Sequence, residues 1–82
     1  MADYFKHSLL PSYVVIDRRY SMLIYVNEGE SIIKKLTGTN KENFDSEIRK
    51  QIEYNLYKTI KSQEFSDALA KTHQDIQDNP FF

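Results

Sequence analysis

Histidine is the side chain whose charge changes most readily near neutral pH, and this sequence contains two, His7 and His73. A helical metal clip needs a second ligand one turn away, but the residues four positions from His73 are Leu69 and Gln77. Cysteine is absent from the sequence, which excludes a thiol nucleophile, a zinc ribbon and a disulfide scaffold together. These residues predict no metal site.

The sequence also lacks the other common catalytic motifs. Gly29 and Gly38 are its only glycines, too few for a phosphate-binding loop, and no serine lies in a nucleophile elbow. Its carboxylates are scattered among lysines, a pattern typical of a solvated surface. We therefore expect a protein that is not an enzyme, with no catalytic residues and no cofactor.

Basic side chains offer a second chemistry, contact with phosphate. Arg18-Arg19-Tyr20 is a compact basic turn with a ring that can stack on a base, and Arg49 and Lys50 lie farther along the chain. Four carboxylates are interleaved with the later basic residues: Glu42, Asp45, Glu47 and Glu53. They weaken the positive field that a phosphate backbone requires. The alternative function is therefore nucleic-acid binding through Arg18, Arg19, Tyr20, Arg49 and Lys50.

Aromatic residues offer a third chemistry, apolar contact with another protein. The chain has 6 Tyr and 5 Phe, and exposed rings contribute strongly to protein interfaces. Tyr54 and Tyr57 are the candidate anchors within the folded part of the chain. The favoured function is that of a small regulatory or inhibitory protein that acts by binding another protein.

The C-terminal residues combine acidic and aromatic side chains. They include Asp75, Asp78, Pro80, Phe81 and Phe82. This end resembles the acidic Pro-Phe tip of bacterial single-stranded-DNA-binding proteins, which docks into basic, apolar pockets on DNA-maintenance proteins. The resemblance implies a docking tail whose last ring fills a pocket while its carboxylates meet Lys or Arg. In the other interpretation, Phe81 and Phe82 fold back onto the core.

Two apolar segments, residues 12–17 and 21–27, predict a β-hairpin because they are rich in β-branched and aromatic residues. Their apolar runs are continuous, which indicates strands covered on both faces by helices or by a second copy. The pattern after them predicts a short helix over residues 31–36, ended by Gly38. A capping box that begins at Thr39 predicts a long helix over residues 40–62.

The predicted long helix carries apolar residues at every fourth position: Phe44, Ile48, Ile52, Leu56 and Ile60. A last helix is predicted over residues 64–77, and no Gly or Pro separates the two, so they could be continuous. These elements predict one α+β domain over residues 1–82, an N-terminal β-hairpin packed against two or three α-helices. Because small domains have thin cores, we also expect a homodimer. The absence of a signal-like or membrane-spanning segment predicts a cytoplasmic protein.

The hairpin and the segment after it resemble the beginning of a PAS sensory domain. The residues that carry the resemblance are Val14-Val15-Ile16-Asp17, Leu23-Ile24-Tyr25-Val26-Asn27, Ile32-Ile33 and Leu36-Thr37-Gly38. In that family an apolar strand ends in Asp, a second strand ends in Asn, and a helix leads to Leu-x-Gly. The resemblance covers residues 12–38 and lacks the later strands of the family. It implies a truncated half used for dimerisation or partner docking.

Overall fold

The computed structural model of the chain describes residues 2–27 and 30–78, the last four of these by their backbone only. This part contains five β-strands: β1 (Asp3–His7), β2 (Ser12–Ile16), β3 (Ser21–Tyr25), β4 (Ile32–Leu36) and β5 (Tyr57–Thr59). It also contains two α-helices, α1 (Gly38–Glu53) and α2 (Ser62–Asp78). The predicted α+β class is confirmed, although the sheet is larger than the predicted hairpin.

The strands form one antiparallel sheet with the order β4-β3-β2-β1-β5. The predicted hairpin corresponds to β2 and β3, in which Val14 lies opposite Leu23. Strand β5 follows α1 in the chain and joins the outer edge of β1, so that His7 lies opposite Tyr57. The short strand after α1 therefore pairs with the N-terminal strand, although the two are far apart in sequence.

Successive side chains of a strand point to opposite sides of the sheet, so β2 and β3 present apolar residues on both faces. One helix covers each face. On one face, Val14 packs with Ile48 of α1 and with Tyr57. On the other face, Val15 and Ile24 pack with Phe65 of α2. We call these the α1 face and the α2 face. This arrangement explains why the apolar runs of β2 and β3 are continuous, and it confirms that both faces of these strands are covered.

The predicted short helix over residues 31–36 is wrong, because this segment forms β4. Ile33 lies opposite the fully buried Ile24 of β3. In a helix, Glu30 and Lys34 would lie one turn apart as an oppositely charged pair, and such a pair contributes only about 0.2–0.5 kcal/mol. Burying an isoleucine side chain contributes about 1.5–3 kcal/mol when it is complete. Pairing with β3 therefore outweighs the local helical signal.

The predicted long helix over residues 40–62 is wrong in its second half, because α1 ends at Glu53. The chain turns at Asn55, whose φ of 61° lies in the left-handed region that asparagine accepts more readily than most residues. The Asn55 amide donates to Ile52 O (3.0 Å) and the Leu56 amide donates to Gln51 O (2.9 Å). These two bonds are a Schellman motif, which stops the helix and separates it from α2.

The helix starts also differ from the sequence prediction. Thr37 rather than Thr39 occupies the N-cap of α1 and makes no side-chain cap bond, so the predicted capping box is wrong. Gly38 does not end a helix; it opens α1 with a φ of +59°, a conformation that favours glycine. The prediction of α2 over residues 64–77 agrees with Ser62–Asp78 to within two residues at the start and one at the end.

Candidate protein-binding surface

Four large apolar side chains are exposed on two loops at one end of the sheet. Leu9 (85% exposed) and Leu10 (50%) lie in the β1–β2 loop. Tyr54 (76%) and Leu56 (37%) lie in the loop between α1 and β5. We call these four residues the two-loop surface. Single exposed apolar residues are normal in proteins, whereas several that share adjoining loops indicate a contact surface.

Hydrogen bonds join the two loops into one structural unit. The Ser8 amide donates to Leu56 O at 2.8 Å. The Ser8 hydroxyl donates to Asn55 O at 2.9 Å. The Schellman motif at Asn55 therefore has two effects: it ends α1, and it turns a carbonyl oxygen toward the β1–β2 loop.

His7 fixes the loop that carries the two leucines. Its Nδ1 accepts a hydrogen bond from the Leu9 amide at 3.0 Å and another from the Leu10 amide at 3.1 Å. A ring nitrogen that accepts hydrogen bonds carries no proton, so the neutral ring holds its proton on Nε2. At the far end of the loop, the Val26 amide donates to Pro11 O at 2.9 Å. The leucines are thus displayed on a loop that is anchored at both ends.

Tyr57, predicted to be an exposed anchor, lies instead beneath this surface. Only 7% of it is exposed, and its hydroxyl lies 3.2 Å from the Ser12 hydroxyl. The His7 ring meets the Tyr57 ring edge-on, with centroids 4.9 Å apart. Tyr57 belongs to the core because β5 turns its side chain to the α1 face. Tyr54, by contrast, is exposed as the prediction requires.

The predicted C-terminal contact residues are only partly within the described chain. Asp75 and Asp78 lie in the last part of α2. Pro80, Phe81 and Phe82 lie outside the described residues. The docking tail and its alternative, the folded-back rings, therefore both stay predictions.

The residues predicted for nucleic-acid contact lie in two places. Arg18 and Arg19 are exposed in the turn between β2 and β3, and the half-buried Tyr20 has Lys35 Nζ 4.9 Å from its ring centroid. Arg49 and Lys50 are exposed on α1. They share a depression of about 470 Å³ with residues of both charges: Glu42, Asp45 and Glu53 as well as Ser46. The depression on α1 therefore does not present a uniformly basic surface.

Two buried polar side chains of the α1 face, Ser21 and Asp45, are hydrogen-bonded to each other. Asp45 is buried and accepts hydrogen bonds from the Ser21 hydroxyl and from Lys41 Nζ. This cluster ties α1 to the start of β3. Among the side chains that the structure describes, no three of His, Asp or Glu lie close enough together to bind a metal ion. No helix within residues 2–27 and 30–78 is long and apolar enough to cross a bilayer.

The sequence pointed to Tyr54 but not to Leu9, Leu10 and Leu56. The available signal was Ser8-Leu9-Leu10-Pro11, a pair of leucines next to a proline that cannot continue a central strand. Such a pair must either enter the core from a loop or remain outside it. Only the contact between the two loops decides between these outcomes, and that contact joins residues far apart in the chain.

Comparisons with known proteins identify no relative of this chain: no family model, no curated protein and no solved structure matches it. The resemblances to PAS domains and to the tip of single-stranded-DNA-binding proteins therefore stay predictions. Within the first of them, β4 stands where a helix is implied. A proposal about function must accordingly start from the surfaces of the fold itself.

Proposed function

We propose that this chain is a small, non-enzymatic regulatory or inhibitory protein that binds another protein through the two-loop surface. The observation that supports the proposal is the position of Leu9, Leu10, Tyr54 and Leu56. These exposed apolar side chains lie on two loops that are hydrogen-bonded to each other. Transfer of apolar surface from water into an interface is favourable by about 25 cal/mol per Å².

The loops suit binding because their backbone is already anchored. Association is weakened when a loop must become ordered, and this loss is smaller when the loop is held before the partner arrives. Here His7 holds Leu9 and Leu10, while Ser8 joins their loop to Asn55. Tyr54 would be the principal anchor, because Tyr is over-represented among the residues that dominate binding energy.

The test compares two variants of the full chain. Leu9→Ser/Leu10→Ser/Tyr54→Ser removes most of the two-loop surface, whereas Glu47→Ser/Lys61→Ser removes two exposed side chains of opposite charge that lie outside both loops and outside β4. A partner would be identified by pull-down from the native host, purified, and titrated with each protein by calorimetry. We expect the triple variant to bind at least roughly tenfold more weakly, since a single anchor residue contributes more than about 1 kcal/mol.

Both variants should melt at the temperature of the native chain, because the altered side chains are exposed. Equal affinity of the triple variant and the native chain would contradict the proposal. An equal loss of affinity in Glu47→Ser/Lys61→Ser would also contradict it, because the loss would not be specific to the two-loop surface. Analytical ultracentrifugation of the same proteins would detect the expected homodimer, and dissociation of a dimer in the triple variant would make a second copy the occupant of the surface.

The alternative, nucleic-acid binding, rests on the exposure of Arg18 and Arg19 in one turn. It predicts that single- or double-stranded probes bind with an affinity that falls steeply with salt, and that Arg18→Ala/Arg19→Ala weakens binding. No binding at low salt, or binding that is insensitive to salt, would contradict this alternative.

A further inference from the structure

Strand β4 is an open edge of the sheet. Its inner side pairs with β3 along its whole length, from Ser21 opposite Leu36 to Tyr25 opposite Ile32. No strand of the described chain pairs with its outer side. In an antiparallel edge strand, alternate residues direct their N–H and C=O groups outward, where they can pair with an added strand. The opposite edge, β5, is only three residues long, so β4 is the longer template.

Two lysines stand in the middle of this edge. Lys34 and Lys35 are both exposed, and as neighbours in a strand they project from opposite faces. Their partners on β3 are apolar: Leu23 lies opposite Lys34, and Met22 lies opposite Lys35. Among the described residues, the one ion pair joins Lys41 to Asp45, so neither β4 lysine has a carboxylate within 4.0 Å. The edge thus offers two positive charges without acidic partners in the described chain.

The apolar residues of β4 surround these charges. Ile32 is more than half exposed at one end, and Leu36 is half-buried at the other. Ile32, Lys34 and Leu36 share the α1 face, whereas Ile33 and Lys35 share the α2 face. An added strand would therefore meet apolar side chains near both ends of β4 and a lysine on each face in the middle.

A second copy of this chain is a poor occupant of the edge. If β4 paired antiparallel with itself over its full length, Lys34 would lie directly opposite Lys34 of the copy. Like charges that face each other across a strand pair are destabilising. Lysines on edge strands are a common protection against self-association. The same lysines attract a strand that carries carboxylates. They therefore disfavour a second copy of the chain and favour an acidic partner.

We infer that β4 is a docking edge for an extended, acidic segment of another protein, which adds to the sheet as an antiparallel strand. Carboxylates of that segment lie opposite Lys34 and Lys35, apolar side chains cover Ile32 and Leu36, and the two backbones share ladder hydrogen bonds. This surface is separate from the two-loop surface, so the inference stands apart from the proposed function. A nucleic acid fits less well, because it offers no strand backbone and no apolar side chains for Ile32 and Leu36.

The test uses two synthetic peptides that differ only in charge. The acidic probe is acetyl-Thr-Val-Glu-Glu-Val-Val-Thr-amide, which in antiparallel register places Glu opposite Lys35 and Lys34. The basic probe has Lys in place of both Glu residues. Each is titrated into the ¹⁵N-labelled full chain and followed by NMR. We expect the acidic probe to shift the amides of β4 and to bind roughly tenfold more tightly than the basic probe, as two cross-strand charge pairs would require.

Charge reversal supplies the decisive comparison. The variant Lys34→Glu/Lys35→Glu should prefer the basic probe, a gain of binding that a misfolded protein would not show. The matched control, Arg18→Glu/Arg19→Glu, makes the same change in net charge at the β2–β3 turn and should keep the native preference. An acidic probe that is N-methylated at alternate residues should bind much more weakly, because it cannot complete the ladder.

Several results would overturn the inference. They are equal binding of the two probes by the native chain, no binding of either, an unchanged preference after charge reversal, and full binding of the N-methylated probe. Tighter binding of a short oligothymidine than of the acidic peptide would also overturn it, in favour of a polyanion site. None of these results depends on the two-loop surface, so the two ideas succeed or fail separately.

Discussion

The two faces of the sheet are held to their helices in different ways. On the α2 face, Phe65 packs on Val15 and Ile24, and its ring centroid lies 5.3 Å from that of Tyr4. The buried polar group of α2, Thr72, donates to a carbonyl of its own helix at 2.8 Å. Apolar contact alone therefore joins this helix to the sheet in the described contacts.

The α1 face adds directional polar contacts to its apolar core. The Ser21 hydroxyl donates to Asp45 of α1, and the hydroxyls of Ser12 and Tyr57 meet across the sheet. Apolar attraction is non-directional, whereas hydrogen bonds weaken steeply with misalignment. We infer that α1 has a more narrowly defined position on the sheet than α2. The position of α1 affects the two-loop surface, because Tyr54 directly follows the last residue of α1.

The largest expected effect is on the α2 face. Phe65→Ala should lower the free energy of unfolding by about 3–5 kcal/mol, because it removes the central apolar contact between α2 and the sheet. Ile48→Ala, the matching change on the α1 face, should cost about 2–4 kcal/mol. Urea unfolding followed by circular dichroism measures both. A loss below about 1 kcal/mol for Phe65→Ala would show that apolar contact is not the main attachment of α2.

The next effect should come from Asp45. Asp45→Ala leaves the Ser21 hydroxyl and the Lys41 ammonium without their acceptor, and an unpaired buried polar group costs about 1–3 kcal/mol. Thr72→Val is the control on the α2 face, because it removes a buried hydroxyl whose only described bond lies within its own helix. We expect this control to cost less than Asp45→Ala. Equal losses in urea unfolding would mean that the bonds between α1 and the sheet contribute no more than local ones.

Local sequence patterns predicted the elements whose contacts are close in the chain. The hairpin of β2 and β3 and the helix α2 were predicted because each has its own periodicity or turn. Strands β1, β4 and β5 were missed for a different reason. Strand β5 has only 3 residues, and it pairs with β1 through Phe5 and Thr59, which are far apart in sequence. Strand formation there depends on the assembled sheet rather than on local propensity.

The candidate site was predicted to a smaller extent than the fold. Residue type suggested Tyr54, since exposed aromatic rings contribute strongly to protein interfaces. It equally suggested Tyr57, which β5 turns into the core. Predicting Leu9 and Leu10 as part of the surface would have required knowing that Ser8, in the same loop, is hydrogen-bonded to Asn55. Asn55, inside the predicted helix, was the one local signal for this turn, and glycine is the more common residue at such a position.

A matched pair of substitutions at Asn55 tests how firmly α1 ends there. Asn55→Ala should destabilise the chain by about 1 kcal/mol, because alanine resists the left-handed conformation. Asn55→Gly should be neutral or slightly stabilising, because glycine adopts it freely. Thermal unfolding of both variants provides the measurement. If the two variants melted at the same temperature, the left-handed turn would not be what ends the helix.

The smallest expected effect concerns His7 and is local rather than global. His7→Phe keeps a ring against Tyr57 but removes the acceptor for the Leu9 and Leu10 amides. Each lost bond is worth about 0.5–1.5 kcal/mol, so these two amides should exchange with solvent roughly threefold to tenfold faster, while the melting temperature changes little. Amide hydrogen exchange by NMR measures this directly. His7→Asn, which keeps a short side-chain acceptor, should recover part of the protection. Unchanged exchange at both leucines in His7→Phe would mean that the loop is held by Ser8 and Pro11 alone, and partner affinity should then be insensitive to His7 as well.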